Sequence, residues 1–167
     1  NLTVTTAAKE RIESELKIAH TIQMNFLPKN FPPFPDKEEF EIYATLEPAK
    51  EVGGDLYDFF LLDEDRLFFA IGDVADKGVP AALFMAVSKT LMKGIAEHGK
   101  DQGATPSDVL MRVNDELAQD NETSMFVTVI CGFLNYKTGH LLYSNAAHNK
   151  PVLIRAGSKP EWLELPS

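Results

Sequence analysis

Two Gly-Asp pairs stand at the outer ends of residues 53–74, "GGDLYDFFLLDEDRLFFAIGDV". The apolar runs on either side of the acidic loop predict an antiparallel hairpin. If residues whose numbers sum to 128 are paired, Asp55 faces Asp73 at the open end, and a two-residue loop would shift this register by one position. Facing residues have Cα atoms roughly 4.5–5.5 Å apart, so two carboxylates there repel each other unless a cation or a proton lies between them.

The neighbouring residues favour a metal ion over a simple pair of strand ends. Gly53, Gly54 and Gly72 would let the backbone approach a bound cation closely. A single Gly-Asp pair commonly ends a strand, but this matched pair is followed by the helix start "GVP". Carboxylates beside glycines suit Mg²⁺ or Mn²⁺, which prefer oxygen ligands, better than zinc. The stretch therefore predicts part of a divalent-metal site.

The composition limits the classes of function. The chain has 167 residues, enough for one domain with a sizeable core, and its net charge of −9 argues against a nucleic-acid partner. The acidity fits cation binding by carboxylates, although plain solubility is the simpler explanation. A lone cysteine excludes an internal disulfide and fits a reducing compartment. There is no run of about 18 apolar residues that would indicate a membrane span.

Two other phosphate-handling chemistries are poorly supported by the motifs present. A cysteine-dependent phosphatase needs an arginine after its cysteine and five intervening residues, but counting from Cys131 leads to Lys137. Cys131 also lies in a run that is apolar on both faces, so a core position is predicted. No "GxxxxGK" phosphate loop is present, which argues against a nucleotide hydrolase.

The elements that would hold the aspartates can be outlined from periodicity. Residues 7–27 predict a helix that ends before Pro28, and packing on a partner helix or docking on its own domain are equally favoured. Its main stripe consists of Ile12, Leu16, Ala19, Gln23 and Phe26. A proline-rich linker precedes a predicted strand at 40–46, and the hairpin strands are predicted at 56–62 and 67–72.

The second half of the chain predicts two helices and three strands. Pro80 suits the first turn of a helix that stops at Gly99, and Thr105 is a plausible cap for the next helix, with Pro106 and Asp108 in its first turn. The runs "MFVTVICGFL", "HLLYSN" and "PVLIR" predict three further strands, the first of them covered on both faces. Short turns between strands and clustered helices predict an α+β layered domain with antiparallel pairing.

Four stretches carry a resemblance to a known family: "ELKIAHTIQMNFLPKNFP", "PAKEVGGDLYDFF", "IGDVADKGVPAALFMA" and "NETSMFVTVICGFLNYKTGHLLYSNAAHNKP". They resemble the metal-dependent protein phosphatases (protein phosphatase 2C-like), in particular the bacterial SpoIIE/RsbU branch of sigma-factor-regulating serine phosphatases. The resemblance runs from about residue 9 to the end of the chain. It implies an α-β-β-α sandwich of two antiparallel sheets flanked by helices, with a two-metal centre at one edge and an N-terminal signalling helix in front.

By that resemblance, Asp55 and Asp73 are the catalytic and metal-binding residues. Asp73 would bridge two Mn²⁺ or Mg²⁺ ions, the Val74 carbonyl would join the same centre, and Asp55 would bind directly or through water. The ions would activate a shared water that attacks phosphorus in line, without a covalent enzyme intermediate. Asp58 and Asp76 are close enough in sequence to support the centre, but each is expected to be a solvated turn carboxylate.

The chain departs from the resembled pattern at two positions. Ala75 stands where eukaryotic members carry a histidine proposed as general acid, so the proton for the leaving serine must come from water or another group. His148 is a candidate for that role, but a structural loop histidine is the favoured interpretation, and Ala147 replaces the usual glycine. Lys50 and Lys77 are candidates for phosphate contact, with a surface lysine again favoured.

The resemblance also implies a biological role. The expected reaction is hydrolysis of phosphoserine or phosphothreonine on an anti-anti-sigma-type protein by the cytoplasmic output domain of a bacterial signalling protein. The alternative is a non-catalytic module that keeps the fold to bind a partner. Residues 1–30 are predicted to be a signalling helix, similar to the exit from a HAMP module, that forms a homodimer, and residues 31–167 the phosphatase domain. The parent protein would be a membrane receptor anchored in the inner membrane, with this segment outside the bilayer.

The C-terminal residues bear on whether this chain alone can bind metal and act as a phosphatase. Members of the resembled family continue with further strands and further metal-binding aspartates, whereas residues 152–167 contain only Glu161 and Glu164 as acidic residues. We therefore expect a C-terminally incomplete domain in which Asp55 and Asp73 form about half of the ligand set. An ion held by so few protein oxygens keeps most of its waters, so we expect weak metal binding and no competent phosphatase activity from this chain alone.

Overall fold

The computed structural model describes residues 2–48 and 50–163, with side chains from residue 6 onward. Its helices are α1 (Leu2–Phe26), α2 (Val79–Gly99) and α3 (Pro106–Ala118), with a 3₁₀ turn at Lys100–Gln102. Its strands are β1 (Leu56–Leu61), β2 (Arg66–Val74), β3 (Val127–Asn135), β4 (His140–Ala146), β5 (Val152–Leu153) and β6 (Glu161–Trp162). The two predicted domains are bounded by residues 1 and 167. Both of these residues lie outside the described part of the chain, as does Glu164.

Four strands form one antiparallel sheet in the order β1-β2-β3-β4. The β1–β2 register pairs Leu56 with Gly72 and Leu61 with Leu67, which confirms the predicted pairing of residues whose numbers sum to 128. The middle of β3 is buried without alternation, as expected for a strand covered on both faces. In the described part of the chain, β5 and β6 form a separate two-stranded antiparallel sheet. The predicted α+β class with antiparallel sheets is confirmed.

The two helices α2 and α3 cover one face of the sheet and enclose the larger apolar core. A proline lies in the first turn of α2, which ends at Gly99, and Thr105 and Asp108 form a capping box at the start of α3. These predicted helix boundaries are confirmed. Burial raises the pKa of the Cys131 thiol to about 12, in agreement with the predicted core position.

An extended segment covers the opposite face of the sheet. Residues 31–46 pack there in a second apolar cluster that includes Tyr57, Phe59 and Tyr136. Every second side chain from 40 to 46 is partly buried, but within the described chain this stretch pairs with no strand, so the predicted strand is wrong. An alternation of period two reports an extended chain with one buried face, and it does not require a partner for the backbone hydrogen bonds.

The longest apolar helix, α2, passes a length and composition test for a membrane span, with a mean hydropathy of 1.3 in Val79–Gln102. Packing covers part of this apolar surface, while Leu83 and Val87 are 64% and 51% exposed. One face of α2 buries Ala81, Met85 and Met92 in the larger core. The same helix places Lys89 in a buried ion pair with Asp58.

Candidate metal centre

Asp55 and Asp73 lie at the open end of the β1–β2 hairpin. The Val74 N–H donates to the Gly54 carbonyl at 3.3 Å, so antiparallel pairing continues beyond the first residue of β1. In this register residues 54 and 74 form a hydrogen-bonded pair, and Asp55 and Asp73 form the adjacent pair without backbone hydrogen bonds. Side chains approach most closely in pairs of that kind. The two side chains therefore lie close enough for the charge of one to act on the other.

The Asp55 carboxyl resists ionisation in this arrangement. Loss of hydration raises its pKa above the ordinary value, and the charge of Asp73 and the hydrogen bond to Asp73 raise this pKa further, while His148 acts in the opposite direction. Two facing carboxylates repel each other, and a cation between them would relieve that repulsion. Both residues are exposed at the sheet edge, so a hydrated ion can reach them.

Glycine at position 54 allows a close backbone approach at this end of the hairpin. A Cβ on Gly54 would lie 2.8 Å from the Val74 carbonyl oxygen and 2.9 Å from the Val74 Cβ. A Cβ on Gly72 would lie 3.0 Å from the Thr128 carbonyl oxygen. At Gly53 the nearest atom would be 3.7 Å away, so that glycine is not required by space. The residue before Asp55 is therefore held directly against the carbonyl of Val74.

The donor set fits a hard divalent cation. Two carboxylates and a backbone carbonyl are oxygen ligands of the type that Mg²⁺ and Mn²⁺ prefer. No group of three or more His, Cys, Asp or Glu side chains within the described residues is placed to hold a metal. Asp55 and Asp73 would thus supply only part of the ligands of such an ion.

Thr128 and His148 approach the same centre from β3 and from the loop after β4. Thr128 faces Asp73 in the β2–β3 register, and its hydroxyl donates to the Asp73 carbonyl at 3.3 Å. The Thr128 oxygen also lies 3.0 Å from His148 Nδ1. Which of the two groups donates in this contact depends on the imidazole tautomer. His148 and Asp55 line one cleft of about 400 Å³.

The loop that carries His148 is fixed by its own hydrogen bonds. The Asn145 side chain accepts from the His148 N–H at 2.7 Å and donates to the His148 carbonyl at 3.0 Å. Between them, Ala147 adopts a φ of 58°, in the left-handed region that favours glycine. This conformation explains why the resembled pattern carries glycine there. His148 has the structural contacts expected of a loop histidine, and it also faces the cleft of the candidate centre.

The prediction for Asp58 is wrong. Asp58 lies inside β1, is 6% exposed and pairs with Lys89 of α2, so it is no solvated turn carboxylate. Asp76 does occupy an exposed turn, where its carboxylate accepts from the Lys77 N–H at 2.8 Å. Lys50 and Lys77 are exposed side chains, as expected for surface lysines.

Sequence reasoning did not connect two further residues with the centre. Thr128 becomes identifiable only once β3 is placed beside β2, because the register then sets it opposite Asp73. Gln23 is a polar member of an otherwise apolar helical stripe, which is the signal that was available. In the structure Gln23 is 5% exposed and hydrogen-bonds Gly53, two residues before Asp55.

Comparison with known proteins places this fold in a family. The family model for Stage II sporulation protein E (SpoIIE) matches residues 63–167. This chain belongs to the SpoIIE family. Two curated relatives are each 34% identical, protein IcfG of Synechocystis over 163 residues and phosphoserine phosphatase RsbU of Bacillus subtilis over 140 residues. The matches cover 84% of this chain but 25% of IcfG and 39% of RsbU, so the chain spans less than half of these relatives.

Solved structures agree with the family assignment. The SiaA-PP2C domain of Pseudomonas aeruginosa gives a TM-score of 0.75 at 20% identity, covering 95% of this chain and 62% of that one. The RsbU and RsbW domains of Rv1364c from Mycobacterium tuberculosis give a TM-score of 0.58 at 29% identity, covering 70% of this chain and 32% of that one. This chain therefore has a PP2C-like fold, and the predicted family is confirmed. Phosphatases of this family are metal dependent.

Proposed function

We propose that this chain is part of a metal-dependent phosphatase that hydrolyses phosphoserine or phosphothreonine on a regulatory protein. The observation that carries the proposal is the β1–β2 register, which sets Asp55 opposite Asp73 at the open end of the hairpin. Two relatives, RsbU and RsbP of Bacillus subtilis, are named phosphoserine phosphatases, which supports the assignment.

The residues around the cleft have distinct tasks in this proposal. Asp55, Asp73 and the Val74 carbonyl would hold Mn²⁺ or Mg²⁺, which would acidify a water molecule and screen the phosphoryl charge. Thr128 fixes the backbone of Asp73 through its hydroxyl. His148 keeps one ring nitrogen on Thr128 and carries a second one that can hydrogen-bond a phosphorylated side chain in the cleft.

A cysteine nucleophile plays no part in the proposed reaction. The Cys131 side chain is fully buried in the larger core, and burial raises its pKa to about 12. Only the thiolate is an effective nucleophile, and almost none forms at neutral pH under these conditions. Direct attack by water is therefore the chemistry that the site residues support.

The proposed substrate is a phosphorylated anti-anti-sigma-type protein, and the proposed setting is the cytoplasmic side of a bacterial sensor. The presence of RsbU and RsbW domains together in Rv1364c supports a role among regulatory proteins of this kind. Residues 1–30 would be the signalling helix and residues 31–167 the phosphatase domain. Ile12, Ile18 and Ile22 of α1 are 57%, 59% and 54% exposed, which is apolar surface that a second copy of the helix would bury in a homodimer.

The proposal is tested by phosphate release from a phosphoserine protein in the presence of Mn²⁺, using the full-length protein. Asp73→Asn removes a charged ligand and should abolish the Mn²⁺-dependent release. Asp76→Asn makes the same substitution at an exposed turn three residues away and should leave the rate unchanged. Wild-type turnover by Asp73→Asn would refute the assignment. Mn²⁺ binding without any phosphate release would favour the alternative, a non-catalytic module that binds a partner.

A further inference from the structure

Gln23 is the one buried side chain of α1 among residues 6–26, whose side chains the structure describes. It is 5% exposed, whereas its neighbours Ile22 and Phe26 are 54% and 45% exposed. A helix that docks through the hydrophobic effect buries its apolar residues. Met24 is partly buried against the second apolar cluster, but the most deeply buried side chain among residues 6–26 is this carboxamide, so the position of α1 depends on a polar contact as well as on apolar ones.

The Gln23 carboxamide satisfies both backbone groups of Gly53. Its Nε2 donates to the Gly53 carbonyl at 2.5 Å, and its Oε1 accepts from the Gly53 N–H at 3.1 Å. The pattern is that of a neighbouring strand in an antiparallel pair, and it requires a side chain with one donor and one acceptor side by side. One turn earlier, His20 Nδ1 contacts the Glu51 carbonyl at 2.5 Å. The segment before β1 therefore has hydrogen bonds to α1 along one edge and to β2 along the opposite edge.

Gly53 precedes Asp55 by two residues. It also directly precedes Gly54, whose backbone lies against Val74 at the candidate centre. Gly54 accepts a hydrogen bond from Val74 and has no space for a Cβ against the Val74 carbonyl. A shift of Gly53 is consequently transmitted to the Gly54–Val74 contact and to the pairing of Asp55 with Asp73. Residues that orient metal ligands from outside the ligand set typically change metal affinity by 10–100-fold when they are removed.

We propose that Gln23 is a positioning residue for the metal centre, holding Gly53 so that Asp55 stays paired with Asp73. The inference rests on the proposed function, because it concerns the same two aspartates. It goes beyond that function by assigning a role at the centre to a residue of the N-terminal helix. Gln23 touches neither the ion nor the substrate in this role, and acts only through the backbone before Asp55.

The test compares Gln23→Met with Asn25→Met in the full-length protein. Gln23→Met removes both hydrogen bonds at nearly constant side-chain volume, and Asn25→Met removes an amide from the exposed side of the same helix. The probe is Mn²⁺ alone, titrated while the free ion is followed by electron paramagnetic resonance. We expect the dissociation constant to rise about tenfold in Gln23→Met and to stay unchanged in Asn25→Met. Hydrogen exchange of the Val74 amide, measured without metal, should accelerate only in Gln23→Met.

A merely structural role for Gln23 predicts a different result. It would lower the melting temperature of Gln23→Met but leave the Mn²⁺ dissociation constant of the folded protein unchanged, which would overturn the proposal. Asp73→Asn, titrated in parallel, separates the two hypotheses: if it loses Mn²⁺ while Gln23→Met retains full affinity, the metal centre stands and the role of Gln23 falls. If Gln23→Met does not fold, Gln23→Glu keeps the acceptor and loses the donor, and wild-type Mn²⁺ affinity in that variant would equally overturn the proposal.

Discussion

Two helices reach the same hairpin on either side of Asp55, and they do so with opposite chemistry. From α1, the neutral carboxamide of Gln23 binds the backbone of Gly53. From α2, the charged Lys89 binds the Asp58 carboxylate at 2.7 Å, with the two side chains 10% and 7% exposed. Asp58 also accepts from the Phe59 N–H at 3.0 Å, so its charge is well compensated.

The two contacts differ in what depends on them. A buried ion pair that loses one partner leaves an uncompensated charge in the core, which threatens the whole fold. If the Gln23 carboxamide is removed, the N–H and the carbonyl of Gly53 lose their partner. Water can then replace part of the lost hydrogen bonding. We infer that the α2 contact chiefly maintains the fold, whereas the α1 contact chiefly adjusts the geometry at Asp55.

The largest effect on stability is expected for Lys89→Met. Removing the ammonium leaves Asp58 buried without its partner, so the free energy of unfolding should fall by about 3–5 kcal/mol. Urea unfolding followed by circular dichroism measures the change. The double variant Lys89→Met/Asp58→Leu removes both charges and should recover most of the loss. If Lys89→Met were as stable as wild type, the Lys89–Asp58 ion pair would not be needed for the fold. The inferred difference between the α2 and α1 contacts would then be wrong.

An intermediate effect is expected for Gly54→Ala. The added Cβ would lie 2.8 Å from the Val74 carbonyl oxygen, so the backbone must shift, at about 1–3 kcal/mol of stability. Mn²⁺ affinity should fall as well, because the shift separates Asp55 from Asp73. The control is Gly94→Ala at an exposed position of α2 with no atom within 4 Å of the new Cβ, which should stabilise the protein by roughly 0.5–1 kcal/mol. Equal behaviour of the two variants would contradict the close approach at Gly54.

The smallest effect is expected for Thr105→Ala, which removes the side-chain cap of α3 away from both contacts. Loss of a capping hydroxyl should lower the free energy of unfolding by about 1 kcal/mol. Mn²⁺ affinity should not change, since neither Asp55 nor Asp73 depends on this helix end. A parallel loss of Mn²⁺ affinity would indicate that any destabilisation disturbs the centre, and the distinction between the two helix contacts would then fail.

Much of the candidate site could be predicted from local sequence because a hairpin is a local structure. The acidic loop and the two apolar runs determine the register, and that register brings Asp55 to Asp73. The strand predicted at 40–46 failed because alternation reveals burial on one face but says nothing about a pairing partner. Asp58 was misjudged because its partner Lys89 is 31 residues away in the sequence. Gln23 was missed because its partner Gly53 is 30 residues away. Contacts at that separation become visible only when the helices are placed against the sheet.

The central claim is that Asp55 and Asp73 together bind a divalent cation, and Mn²⁺ titration of three matched variants tests it most directly. Asp55→Asn, Asp73→Asn and Asp76→Asn each replace one carboxylate by an amide of the same shape, and the third lies in an exposed turn outside the pair. Electron paramagnetic resonance of free Mn²⁺ gives the dissociation constant of each protein. We predict at least a tenfold weaker affinity for Asp55→Asn and Asp73→Asn, with Asp76→Asn equal to wild type. Equal affinities in all four proteins would contradict the claim.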